Sequence, residues 1–206
     1  MQKGYFALAV LVVAIVLSTI SAPSAVAGPC SEDQEAPGVY VPDRGCFALG
    51  VGYQYQHFTV LGTSFHTHAY NVNFTTHLFD AVTGGVGRLT VGVEAAANAG
   101  FGGKAAGLPS TDVKSFFIGA GPHVAIQNAS RFEPWAHGLV GLERLRFTQT
   151  ATLGSNSALG FIVGGGVDVR LAHRFAWRFE GDYVGTTYQS SIQSNYQAGT
   201  GIVLYF

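Results

Sequence analysis

The chain has little charge: Asp, Glu, Lys and Arg make up 11% of its 206 residues, against roughly 25% in an ordinary soluble domain. What charge there is nearly cancels, leaving a net −1, so there is none of the basic stripe that nucleic-acid binding requires. Long apolar runs are missing too. The run Phe6 to Leu17 is about 12 residues, against the roughly 20 that a helix needs to cross a bilayer, and nothing after it approaches that length. Glycine and phenylalanine, by contrast, are abundant, at 28 and 15 residues. A low charge without long apolar runs suits a β-barrel in lipid, where only every second residue of a strand faces the membrane.

The N-terminus predicts the compartment. Lys3, the apolar run, Pro23 and the small-residue site Ala25-Val26-Ala27 make a secretory signal peptide over residues 1–27, cleaved after Ala27. A transmembrane anchor is the competing reading, and the run is too short for it. Residues 28–46 then form a periplasmic leader bracketed by Cys30 and Cys46. These two are disulfide candidates in an oxidising periplasm, and closing such a loop stabilises a chain by about 3 kcal/mol. A lipid-modified Cys30 is disfavoured because Pro29 stands where a small residue belongs.

From residue 47 to 206 the sequence alternates with period two in eight segments separated by Gly, Asn, Asp and Ser. The expectation is an all-β, eight-stranded, antiparallel up-and-down transmembrane barrel. The strands fall at 48–58, 65–77, 86–99, 113–127, 134–147, 159–171, 174–188 and 196–206. In the first, Leu49, Val51, Tyr53 and Tyr55 face lipid and Gly50, Gly52, Gln54 and Gln56 face inward. The second sets Tyr70, Val72 and Phe74 against Asn71, Asn73 and Thr75. In the fourth, Pro122 cannot donate to the ladder, so a bulge is expected near it. The fifth leaves its phase open: Val140 and Leu142 alternate with Gly141 and Glu143, but Leu139 and Leu145 share the glutamate's parity, which either a bulge or a wide interior would settle. The last strand turns Ile202, Leu204 and Phe206 one way and Gly201, Val203 and Tyr205 the other.

The inward parity collects Arg88, Glu94, Asp168, Arg170, Arg178, Glu180 and Asp182. In a lumen as narrow as eight strands allow, these must pair or reach water. One hypothesis is that Glu94, Arg178 and Glu180, near mid-depth, form an ion-paired plug that holds the barrel shut or leaves a small, gated conductance. The bland alternative is that they merely fill the lumen. Tyr53, Tyr55, Trp135, Phe175, Trp177, Tyr205 and Phe206 lie near strand ends and read as interfacial girdles. An even strand count puts both termini on one side, the periplasm. Segments 59–64, 100–112, 148–158 and 189–195 are then the outward loops, and 79–85, 128–133 and 172–173 the periplasmic turns.

The signal peptide, the eight segments, the run Gly164 to Arg170, the following Arg178 and Asp182-Tyr183, and the terminal Phe206 resemble the OmpA-like outer-membrane β-barrel domain over roughly residues 47–206. The resemblance implies an outer-membrane location and insertion by the barrel-assembly machinery. Gly201, Leu204 and Phe206 match that machinery's C-terminal signal, while Gly199 stands where the signal usually carries a polar residue. Because the sequence stops at Phe206, the peptidoglycan-binding domain of full-length members is not expected.

Function is less constrained than fold. A structural or surface-interaction role is the first reading, with outer-membrane lipids as partners, an extracellular ligand reached through the loops, and a monomeric state. A narrow porin-like channel is the alternative. A lipid A-modifying enzyme is disfavoured: the deacylase pattern of a His two residues before Ser-Asn is absent, since Ile192 precedes Ser194-Asn195. His66 and His68, with Ser64 nearby, form at most a weak site. Their H-x-H spacing could hold a metal ion, but solvated or interfacial positions explain it more simply, so no metal and no cofactor are expected. A lipocalin-like soluble barrel would reverse the alternation and is excluded on that ground.

Overall fold

A computed structural model describes residues 45–206, apart from 61–62, 84–86, 106–107, 129, 148–154 and 189–190. The signal peptide, the leader up to residue 44 and Cys30 lie outside the described residues. The rest is eight strands: β1 Phe47–Val60, β2 Thr63–Thr83, β3 Gly87–Ala105, β4 Leu108–Gln127, β5 Phe132–Phe147, β6 Ser155–Ala172, β7 Phe175–Tyr188 and β8 Ser191–Tyr205. Each pairs antiparallel with its chain neighbours, and β1 pairs with β8 to close the barrel. The seam continues past β8 into reciprocal amide bonds, Phe47 N to the Phe206 carbonyl at 3.0 Å and Phe206 N to the Phe47 carbonyl at 2.9 Å. Below, the end holding this junction is the terminal end and the opposite one the loop end.

The strands form because alternate positions serve two different solvents. Most outward residues are apolar or aromatic and exposed, with Val140 and Val163 each at 55%. Inward ones are small, amide or charged near the terminal end and at mid-depth, and apolar toward the loop end. Strands outrun their expected bounds at the loop end: β1 to Val60, β3 to Ala105, β4 from Leu108, β6 from Ser155, β8 from Ser191. The segments read as outward loops are therefore shorter than expected. The turn expected at 79–85 is mostly strand as well, since β2 continues to Thr83 after a register shift between His77 and Phe79. That bulge lets two consecutive apolar residues, Leu78 and Phe79, both face outward.

Two expectations are corrected. No bulge forms at Pro122: the β3–β4 register passes unshifted through Val93 opposite Pro122, and β4–β5 resumes in the same register beyond an unpaired Gly121-Pro122. The missing donor is accommodated by a gap in the ladder. The fifth strand, whose phase was ambiguous, keeps a single phase with no register shift. Trp135, His137, Leu139, Glu143, Leu145 and Phe147 all face inward, so the interior itself changes from polar to apolar along the axis.

Candidate functional site

The lumen is stacked in layers. Nearest the terminal end, Ala48, Ala176, Val203 and Tyr205 form a small apolar cluster. Beside it, β6 and β7 place Asp168 directly opposite Arg178. The guanidinium donates from Nε to Oδ1 and from Nη2 to Oδ2, both at 2.8 Å, the bidentate fork that fixes direction as well as distance. Asp168 also accepts from Trp135 Nε1 at 3.1 Å and from the Tyr205 hydroxyl at 2.6 Å. Arg178 lies 4.4 Å over the Trp135 ring, a cation–π contact strengthened by its burial in the lumen. Arg170 pairs with Glu133 and donates to the Asn128 carbonyl at 3.0 Å, while Arg88 is half-buried and engaged.

A second layer lies at mid-depth. His137 from β5 bridges Glu94 of β3, Nδ1 to Oε2 at 3.2 Å, and Asp182 of β7, Nε2 to Oδ1 at 3.3 Å. His123 stacks on Trp135 and stands 3.8 Å from Glu94. Asp182 accepts from Gln197 at 2.8 Å. Glu180 accepts from Gln54 and, at 3.0 Å, from Asn71. Gly199 leaves the room for this: a Cβ there would lie 2.7 Å from the Glu180 carboxylate and 2.8 Å from Gln54. Toward the loop end comes an amide layer in which Gln56 accepts from Thr67 at 2.9 Å and Ser115 at 3.0 Å, and donates to Gln197 at 3.2 Å.

Above these the lumen is apolar. Phe58, Phe65, Val113, Phe117, Leu139, Leu145, Phe147, Ala158, Ile162 and Val184 pack together, with Phe58 stacked on Phe65 at 5.5 Å and Phe147 edge-on to Phe65 at 5.7 Å. Glu143 is buried alongside. Among the described residues the polar layers hold small voids: one of about 10 Å³ lined by Thr75, His123, Glu133, Trp135, Asp168 and Arg178, another of about 10 Å³ between Asn71, Asn73, Arg178 and Glu180. Each has room for about one water molecule.

Of the residues singled out from sequence, Glu94, Asp168, Arg178, Glu180 and Asp182 are buried in the lumen, with Arg170 and Arg88 nearer the terminal end. The trio Glu94, Arg178 and Glu180 is not joined directly. Arg178 belongs to Asp168, Glu94 to His137, and Glu180 to amides. Two residues assigned to the girdles turn inward: Trp135 and Tyr205 are each 6% exposed and anchor Asp168. Tyr53, Tyr55, Phe175, Trp177 and Phe206 do face outward. His137 and Glu133 were missed, although one unbroken parity from Glu133 to Phe147, which Glu143 shares, would have found both.

The outer surface carries its own groups at the loop end. Lys114, Arg144 and Arg146 face outward on β4 and β5, with Lys114 directly opposite Arg146. On β1 and β2, Tyr55 pairs with His68 and His57 with His66, all outside the barrel. Gly201, Leu204 and Phe206 lie along the closing seam.

No family model and no curated protein matches the chain. Solved structures do. Neisserial surface protein A superposes with a TM-score of 0.58 at 14% identity, over 78% of this chain and 97% of that one. The N-terminal β-barrel domain of OprF from Pseudomonas aeruginosa gives 0.51 at 10% identity, over 77% and 97%. At these identities the likeness shows the fold: that of the small eight-stranded outer-membrane barrels.

Proposed function

We propose that the protein is an integral outer-membrane barrel with a structural or surface-interaction role, its lumen closed rather than conducting. The observation that carries this is the two-part filling of the interior. A mainly apolar layer, in which Glu143, Thr186 and Asn195 are also buried, abuts an ion-paired layer whose small voids each have room for about one water. An ion crossing would have to shed its water beside Phe58, Phe65 and Phe117, at a cost of many kcal/mol. Both termini are periplasmic on this reading, insertion uses the barrel-assembly machinery, and the barrel works as a monomer. Partners come from outside: lipids around the band, with Lys114, Arg144 and Arg146 at the depth of anionic headgroups, and an extracellular ligand at the loops.

The reading is non-enzymatic. Ser64 Oγ shares a hydrogen bond with Thr59 Oγ1 at 3.1 Å, and His66 and His68 engage His57 and Tyr53, so no serine–histidine contact forms a nucleophile there. Planar-bilayer recording tests the closed lumen. The wild type is expected to give no discrete steps, and a variant combining Phe58→Ala, Phe65→Ala, Phe117→Ala and Arg178→Ala to admit ions. Regular steps from the wild type would establish the narrow-channel alternative instead.

A further inference from the structure

On the outer face at the loop end, two imidazoles meet, tilted, across the β1–β2 ladder. His57 and His66 are direct cross-strand partners, their ring centroids are 4.6 Å apart, and their Nδ1 atoms approach to 3.2 Å. The backbone register sets this approach. Tyr55, one pair along, stacks on His66 at 5.3 Å with an interplanar angle of 18°. It also meets His68 edge-on at 5.8 Å, and Tyr53 caps His68 through its hydroxyl. The result is a small surface of three imidazoles and two phenols, with the Nδ1 atoms of the central pair in hydrogen-bond contact.

We propose that His57 and His66 form a divalent transition-metal site, with zinc as the fitting ion. Two nitrogens bound to one zinc at about 2.0–2.1 Å and a tetrahedral angle lie roughly 3.3–3.4 Å apart, whereas a right-angled geometry brings them to about 2.9 Å. The observed separation is nearer the first. Imidazole nitrogen suits zinc and its neighbours rather than magnesium or calcium, which take oxygen. In the metal-free pair one Nδ1 carries the proton and the other accepts it. Binding needs only that this proton move to the Nε2 of the same ring, so each ligand is a neutral imidazole and no net proton is released. Among the described residues no set of three His, Cys, Asp or Glu groups is already assembled around a common point. The protein therefore supplies two ligands, with water in the remaining positions, and His68 is the nearest further imidazole on the same face. A site of this kind is open and exchangeable, and it lies at the rim of the lipid-facing band rather than in the lumen.

The test is a zinc titration of the untagged mature barrel, folded in detergent micelles, by competition with a chromophoric chelator. One zinc per barrel is expected. His57→Ala and His66→Ala each weaken binding at least tenfold, His68→Ala weakens it only a few-fold, and His173→Ala, in the turn at the opposite end, leaves it unchanged. All four positions are outside the barrel, and heat-modifiable migration on gels reports whether each variant is folded. If a variant unfolds, His57→Asn and His66→Asn replace it. The proposal is overturned if folded variants at residues 57 and 66 bind zinc as the wild type does, or if the wild type binds none.

Discussion

Asp168 shows how much one lumen residue carries. It receives four hydrogen bonds from three side chains, and its partner Arg178 is buried with it. Truncating one member of such a pair leaves an unpaired charge buried in the lumen, so Arg178→Ala is expected to destabilise the barrel by about 3–5 kcal/mol. Asp168→Asn combined with Arg178→Met should cost clearly less than the two single changes added together. Denaturant unfolding in lipid, run as a double-mutant cycle, measures the difference. Tyr205→Phe removes one charge-assisted bond without changing shape, at a cost of about 1.5–3 kcal/mol in the same assay. At this scale most of the lumen charges were legible, because a charged residue in mid-strand, at the depth of the lipid, has one tolerable direction; Lys114, Arg144 and Arg146, at the loop end, face outward instead. It concealed Trp135 and Tyr205. An aromatic near a strand end suits both a headgroup girdle and a buried hydrogen bond, and only the parity shared with Glu133 and Val203 tells them apart.

Strands obey a different logic, since each carries one phase for its whole length. β7 sets Phe175, Trp177 and Phe179 outside and Arg178, Glu180 and Asp182 inside, and a slip by one residue would exchange the two sets. Val163 lies mid-strand on the outer face of β6, opposite Gly138 and Tyr183. Val163→Arg is expected to cost about 2–4 kcal/mol in a bilayer. Equilibrium unfolding in liposomes would record it, and a change below 1 kcal/mol would place this position away from the lipid. The alternation of β1 and β2 was readable because their inward residues are amides and glycines. β5 was not, because its inward face passes from Glu133 and His137 to Leu139, Leu145 and Phe147, and a strand crossing from a polar layer to an apolar one loses the contrast on which period-two reading depends. The extra length of β1, β3, β4 and β6 was equally hidden. Pairing beyond the apolar band is imposed by the neighbouring strand, not by the pattern of the segment itself.

For the whole molecule, the eight-strand architecture was legible and the layering of its interior was not. Layering arises from residues that meet only after closure: Gln56 with Ser115, His137 with both Glu94 and Asp182. Two expectations belong to this scale. The folded mature protein should migrate faster on gels before boiling than after, as a closed barrel resists unfolding by detergent; identical migration would argue against closure. The proposed Cys30–Cys46 bridge should leave no thiol for alkylation until a reductant is added, read as a mass shift in the intact protein.

Seven of the eight seams in this ring join neighbours in sequence and can zip as hairpins. The eighth, β1 with β8, joins residues as far apart as Ala48 and Tyr205. Until it forms, two strand edges present unpaired amides, each costing several kcal/mol inside lipid. A half-assembled ring is therefore worse placed in the membrane than either the complete one or the chain outside it. That makes opening the seam the slow event in unfolding as well as in assembly, so the durability of the protein in its membrane is set by a lifetime rather than by an equilibrium constant.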